Sequence, residues 1–183
     1  MDGIYLWWIG MSPPNPPLLE SVCADVGEAF EMRTVLWHGD SRPSGTLDER
    51  RRQHSSTAIL RWIGAHRPAE ARRVLGITDV DLFIPVLTFV YGEAQLGGHA
   101  AVVSTARLIP EPARHDGAEL FRTRLLKECV HELGHTFGLR HCHEPGCVMS
   151  RAVNMAGVDL KYHSLCPGCR LQYLDHLAGL GAG

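Results

Sequence analysis

The side chains of this sequence that could do metal chemistry crowd into one stretch near its end: His131, Glu132, His135, His141, Cys142, Cys147, Cys166 and Cys169. In an α-helix, residues four apart lie one above the other, so His131 and His135 can grip a single ion while Glu132 points toward the same opening. His141 follows six residues after His135 and reaches that ion only if the helix stops between them. Gly138 supplies the stop, because without a Cβ it can take a positive φ and turn the chain back. Three neutral imidazoles leave a fourth position for water, the arrangement of a catalytic rather than a structural zinc. With eleven histidines and eleven glutamates in 183 residues, a bare H-E-x-x-H arises in about 4 per cent of shuffled chains, and requiring Gly138 and His141 lowers this to roughly two in ten thousand. Surface histidines on a solvated helix are therefore a poor account of the pattern.

The cysteines make a second case. Cys142 and Cys147 bracket a turn containing Pro145 and Gly146, and Cys166 and Cys169 bracket Pro167 and Gly168. Each pair can present two thiolates to one tetrahedral zinc, and four thiolates fill its coordination, which makes such an ion structural. Two other readings compete. Disulfides would suit a secreted chain, but the first residues, MDGIYLWWIGMSPP, carry no basic n-region, no sustained apolar core and no small-residue cleavage site. The sequence reads as cytoplasmic, where thiols stay reduced. A redox role for the CPGC pair calls for its own βαβ setting, and only about fourteen residues follow it. Cys23 and Cys129 lie outside the pattern and read as buried free thiols.

Taken together, His131, Glu132, His135, Gly138, His141, Cys142, Cys147, Met149, Cys166 and Cys169 resemble the archaemetzincins, a branch of the metzincin metallopeptidases. The resemblance implies three histidine ligands to a catalytic zinc, an acid/base role for Glu132, a Met-turn at Met149 under the histidines, and a second, structural zinc on the four cysteines. One spacing departs from the family pattern. Sixteen residues separate Met149 from Cys166 where the family has seventeen, a difference that falls in a loop and leaves the ligands in place.

The elements that position these groups follow from pattern. At 45 per cent hydrophobic content over 183 residues, one domain can bury a sizeable core without disulfides. A net charge of −2 argues against nucleic acid as a partner, and no apolar stretch approaches the length of a membrane span. Ile4 to Ile9 reads as a strand closed by Gly10 and a proline-rich turn, Pro13 to Pro17. Leu18 to Phe30 reads as a helix and Arg33 to Trp37 as a strand ending at Gly39-Asp40. Thr46 to His66 reads as one helix, opened by a capping-box pattern from Thr46 to Glu49 and stopped by Pro68, with the Arg50-Arg51-Arg52 run on its solvated face. Val80 to Ile84, Leu87 to Tyr91 and Ala100 to Leu108 are strand candidates. Asp116 with Glu119 resembles a capping box before the motif helix, which buries Leu120, Phe121, Leu125, Leu126 and Val130. The glycine-rich tail, Gly179 to Gly183, is expected to fray.

This alternation predicts an α/β (α+β) fold: a mixed twisted sheet covered by helices. The resemblance adds an N-terminal subdomain over about 1–138 and a smaller C-terminal one over about 139–183 carrying the four cysteines. The cleft between them would be bordered by the strand at Ala100 to Leu108, whose edge could pair with an extended peptide or be an ordinary sheet edge. The resemblance then implies a zinc metallopeptidase with two zinc ions per chain and peptide or protein substrates, short peptides being expected, and the chain is expected to be a monomer. Glu132 would take a proton from the attacking water and pass it to the leaving amine. Two readings from other classes stand beside it. One is a zinc-stabilised peptide-binding module with a vestigial catalytic site, which would have no need of Glu132. The other is a zinc-ribbon nucleic-acid protein, which lacks the basic patch. His99 could border the cleft, His143 and His163 read as solvent-exposed, and Tyr91 or Tyr162 could steady an oxyanion.

Overall fold

The computed structural model describes residues 3–12, 15–39, 41–112 and 114–180. In chain order the elements are β1 (Gly3–Trp8), α1 (Pro16–Phe30), β2 (Thr34–Trp37), β3 (Leu47–Asp48), β4 (Gln53–Ser55), α2 (Ser56–His66), β5 (Ala71–Thr78), β6 (Leu82–Phe83), β7 (Gly92–Ala94), β8 (Ala100–Ser104), α3 (Gly117–Thr136), α4 (Met155–Leu160) and α5 (Pro167–Leu180). Pro13 and Pro14 of the proline-rich turn, Asp40, and 181–183 of the glycine-rich tail lie outside the described residues.

The main sheet has the order β2-β1-β5-β8-β7, parallel except for β7, which runs antiparallel to β8. Successive side chains of a strand point to opposite faces. Ile4 and Leu6 of β1, Leu75 and Ile77 of β5, and Ala101 and Val103 of β8 pack against Val22, Val26 and Phe30 of α1 and Leu125, Cys129 and Val130 of α3. The alternate residues Tyr5, Trp7, Val74, Ala100 and Val102 pack against Ile59, Leu60 and Ile63 of α2. Both faces are thus dry, and each fully buried aliphatic side chain contributes about 1.5–3 kcal/mol. At Gly76 the fit leaves no room for a side chain: a Cβ there would fall 2.6 Å from Ile63 Cδ1 and 2.8 Å from Ile9 Cδ1. Among the described residues no helix is long and apolar enough to cross a membrane.

The mixed α/β architecture matches expectation, with several local corrections. The helix expected from Thr46 begins at Ser56, because Ser55 is the residue that caps it, its Oγ accepting from Ala58 N at 3.3 Å. Asp48 instead accepts the N–H groups of Arg50 and Arg51 in a turn, and Arg52 takes a φ of 54°. Thr46, Leu47 and Asp48 therefore belong to a turn and a small ribbon, β3-β4-β6, rather than to a helix. Strand β5, at the centre of the sheet, is absent from the expected set, since Arg72, Arg73 and Gly76 interrupt its apolar pattern. Leu87 to Tyr91 forms no strand beyond a single bridge between Leu82 and Val90. Strand β8 pairs on both sides, so the edge beside the motif helix belongs to β7.

Candidate active site

α3 runs through the interior, buried without interruption from Arg124 to Gly134. Its polar side chains must find partners there, and they find them on the segment from Val158 to Lys161. Arg124 donates to both carboxylate oxygens of Asp159 at 2.7 and 2.6 Å. Lys127 donates to the carbonyls of Val158 and Asp159 at 3.1 and 2.9 Å, satisfying the end of α4. Lys161 Nζ lies 3.0 Å from Glu128 Oε1, the two side chains 1% and 4% exposed. The expected capping box at the start of α3 does not form, because Asp116 is held by Arg114 and Glu119 by Arg122.

One turn further along α3, His131 Nδ1 donates to Val148 O at 2.8 Å and His135 Nδ1 to Leu139 O at 2.7 Å. A carbonyl only accepts, so in both rings the proton sits on Nδ1 and the lone pair on Nε2. Those two Nε2 atoms face each other at 3.2 Å. Two lone pairs at that separation call for a cation between them. Tetrahedral zinc with bonds of about 2.05 Å would hold two nitrogens about 3.3 Å apart, so the spacing fits. Gly138 has a φ of 82°, and the chain turns there to bring back His141, whose ring centroid lies 5.4 and 5.0 Å from those of His131 and His135. One ring nitrogen from each of the three residues lies within 4.8 Å of the others. Burial lowers the pKa of all three histidines and keeps them neutral, ready to ligate.

Glu132 is buried beside this cluster, and its pKa is raised first by burial and then by Glu128 and Glu93, with Lys161 acting in the opposite sense. β7 passes so close that a Cβ on Gly92 would lie 2.6 Å from Glu132 Cγ and 2.6 Å from Val102 O. The histidines and Glu132 open into a cavity of about 570 Å³, lined also by Tyr91, Gly92 and Glu93 and by Arg151, Val153 and Lys161.

The four cysteines converge as well, one sulfur from each lying within 4.8 Å of the rest. Cys142 Sγ and Cys166 Sγ are 3.8 Å apart, too far for a disulfide of about 2.05 Å and equal to the separation of about 3.8 Å that tetrahedral zinc–thiolate bonds impose. All six cysteines are free, and Cys23 and Cys129 are buried in the core as expected. The shorter loop after Met149 does not pull the sulfurs apart; it contains α4 and delivers Lys161. Met149 is fully buried, and its sulfur would lie 2.4 Å from a Cβ on Gly134, so it packs directly on the helix backbone between the two histidine turns.

Of the other candidates, Tyr91 lines the cavity, whereas Tyr162 is 70% exposed and rests on Gly146. His143 and His163 are exposed. His99 does not border the cavity; it contacts Arg72 O and Arg73. Sequence reasoning missed Glu128, Glu93 and Lys161. Glu128 could have been found from its place one helical turn before Glu132. Lys161 carries no such signal.

A buried helix with two histidines and a glutamate, closed by a glycine turn that returns a third histidine, defines a metallopeptidase-type site. Comparison with known proteins agrees. Residues 70–175 match the model of peptidase family M54. An archaemetzincin of Methanocaldococcus jannaschii is 38% identical over 165 residues, 88% of either chain. An archaemetzincin of Methanopyrus kandleri is 42% identical over 128 residues, 69% of each chain. The crystal structure of an archaemetzincin from Methanopyrus kandleri superposes with a TM-score of 0.85 at 33% identity, covering 97% of this chain and 96% of that one. One from Archaeoglobus fulgidus, complexed with malonate, gives 0.77 at 33% identity, covering 94% and 99%. The chain belongs to peptidase family M54, the archaemetzincins. That family is one of zinc metallopeptidases, whose substrates are peptides.

Proposed function

We propose that this chain hydrolyses peptide bonds at the cavity above α3, with His131, His135 and His141 as ligands of a catalytic zinc and Glu132 as the general base and acid. Cys142, Cys147, Cys166 and Cys169 hold a second, structural zinc, and the part of the chain from about residue 139 forms the smaller subdomain that carries it. The observation that supports this best is the pair of Nε2 lone pairs at 3.2 Å, both fixed by carbonyls at Nδ1, with a glutamate beside them in an open cleft.

Zinc, when bound, supplies the Lewis acid: it brings the pKa of water to roughly 7 and polarises a carbonyl. The chain's own groups do the rest. Glu132, kept from bulk water, accepts the proton of the attacking water and returns it to the leaving amine. Val148 O and Leu139 O hold two of the imidazoles in the tautomer that presents Nε2. The substrate lies extended along β7, whose outer edge is unpaired among the described residues, rather than along β8. Leu87, Leu96 and Val153, each exposed and each lining the cavity, favour apolar side chains near the scissile bond.

The test is Glu132→Gln, with zinc content and turnover of a quenched-fluorescent peptide library measured on both proteins. The expected result is unchanged zinc with turnover lost by at least about a hundredfold. Retained turnover would remove Glu132 from the chemistry. A wild type that binds peptides and cuts none would favour the binding module instead.

A further inference from the structure

Arg73 lies in β5, the central strand, and is 3% exposed, yet among the described residues none of its hydrogen-bond partners is a carboxylate. A buried guanidinium without a counter-ion is costly, so its partners should say what it is for. One of them, Thr136 O, is at the end of α3, and the others are Arg72 O in the same strand, His99 Nδ1 at 3.4 Å and His176 on α5. Nε donates to Thr136 O at 3.1 Å, Nη1 to Arg72 O at 2.8 Å, and Nη2 lies 3.3 Å from His176 Nε2. The plane of the group sits over the Phe137 ring, 4.6 Å from its centroid. His176, on α5, in turn approaches Gly138: a Cβ there would lie 3.3 Å from its Nδ1.

The helix must end here for His141 to return, and ending it strands its last carbonyls. His135 O is met by the backbone N–H groups of Gly97 and Gly138, each at 2.9 Å, and Gly134 O by Leu139 N at 3.1 Å. Thr136 O takes Arg73, whose positive charge also suits the negative end of the helix. The turn that separates the second histidine from the third is therefore held by Arg73 through one hydrogen bond to Thr136 O and its stacking on Phe137, while His176, which Arg73 also contacts, lies against Gly138.

We infer that Arg73 is a positioning residue for the three-histidine site, holding the Thr136–Gly138 turn in the one conformation that brings His141 to the metal. The inference rests on the reading that His131, His135 and His141 bind zinc. Arg73 touches neither metal nor substrate and acts through the turn. A role confined to folding stability would lower the melting temperature and leave metal affinity untouched. A positioning role moves the affinity of the histidine site and spares the four-cysteine site.

The experiment is chelator competition for zinc on the full chain, comparing wild type with Arg73→Met and Arg73→Lys and following the histidine and cysteine sites separately. Arg73→Met should weaken histidine-site zinc by about tenfold or more, and Arg73→Lys, which keeps the charge but reaches only one acceptor, by about threefold or more, with the cysteine site unchanged in both. Wild-type affinity at the histidine site in either folded variant would overturn the inference. If Arg73→Met does not fold, Arg73→Lys decides by the same criterion. A wild-type chain that takes no zinc on its histidines fails before any variant is compared, and that result removes the proposed function and this inference together.

Discussion

The ion pair between Lys161 and Glu128 gives the sharpest quantitative prediction. The two groups are 3.0 Å apart, with side chains 1% and 4% exposed, and the contact is not aligned as a hydrogen bond at Glu128 Oε1. Their attraction is therefore coulombic. At an effective dielectric constant of about 20 it amounts to about 5.5 kcal/mol before the cost of removing both charges from water. Removing one partner leaves the other buried and alone, which costs about 3–5 kcal/mol, and the poor alignment puts this pair near the lower figure. Lys161→Met keeps the volume and removes the charge. For a chain of this length each kcal/mol moves the melting temperature by about 2–4 °C, so Lys161→Met should melt roughly 6–12 °C lower. Lys161→Met with Glu128→Leu removes both charges and should recover most of the loss, because a buried pair replaced by apolar groups of similar size is close to neutral. The assay is a double-mutant cycle from denaturant unfolding, with zinc held in constant excess so that metal binding shifts every variant alike. A loss below about 1 kcal/mol in Lys161→Met, or a double variant that merely adds the two single losses, would refute the argument.

Two further outcomes follow from single contacts. Gly92→Ala places a Cβ where Glu132 Cγ and Val102 O already stand. It should lose about 1–3 kcal/mol of stability and at least about tenfold in turnover with zinc content unchanged, and activity within about twofold of wild type would show that the packing beside Glu132 is slack. Asp159 has its pKa held below the ordinary 3.8 chiefly by its hydrogen bonds from Arg124. A carboxylate depressed in the folded state stabilises fully above its unfolded value and loses that contribution as pH falls through the lower folded value. The stability gap between wild type and Asp159→Asn should therefore be constant from about pH 5 to 7 and narrow below about pH 4, and a gap that widens on acidification would contradict the sign.

How much of this was readable in the sequence depends on the range of the interaction involved. The histidine motif is local: its spacing, one helical turn and one glycine turn, states its own geometry, and the structure brings the three rings together as that spacing requires. The cysteine pairs are two local turns, and only their meeting is long-range. The errors fall where a non-local contact outvotes local preference. β5 was hidden because its strand begins Ala71-Arg72-Arg73, a polar start that makes sense only once Arg73 is seen reaching across to Thr136. β7 is Gly-Glu-Ala, three residues with little strand preference, held because β8 offers an edge and because a side chain at Gly92 would strike Glu132.

The same distinction explains why the fixed groups of the site were legible and their supports were not. A metal ligand declares itself by residue type and interval. A buried lysine, or an arginine that ties off a helix end, is chosen by what lies beside it after folding, and Lys161 and Arg73 stand 33 and 63 residues from the α3 groups they serve. Polar residues buried in the run from Arg124 to Glu132 nevertheless carried a usable warning. Arg124, Lys127, Glu128, His131 and Glu132 recur at the i, i+3, i+4, i+7, i+8 spacing of a single stripe, opposite Leu125, Leu126, Cys129, Val130 and Leu133, and because that stripe carries the motif histidine and glutamate into the interior, the charges beside them are buried as well. A helix polar on one side and apolar on the other, with no side left for water, requires a second polar layer to receive it, and here the segment from Val158 to Lys161 is that layer. Its existence, though not its sequence position, follows from counting the charges that the motif helix must bury.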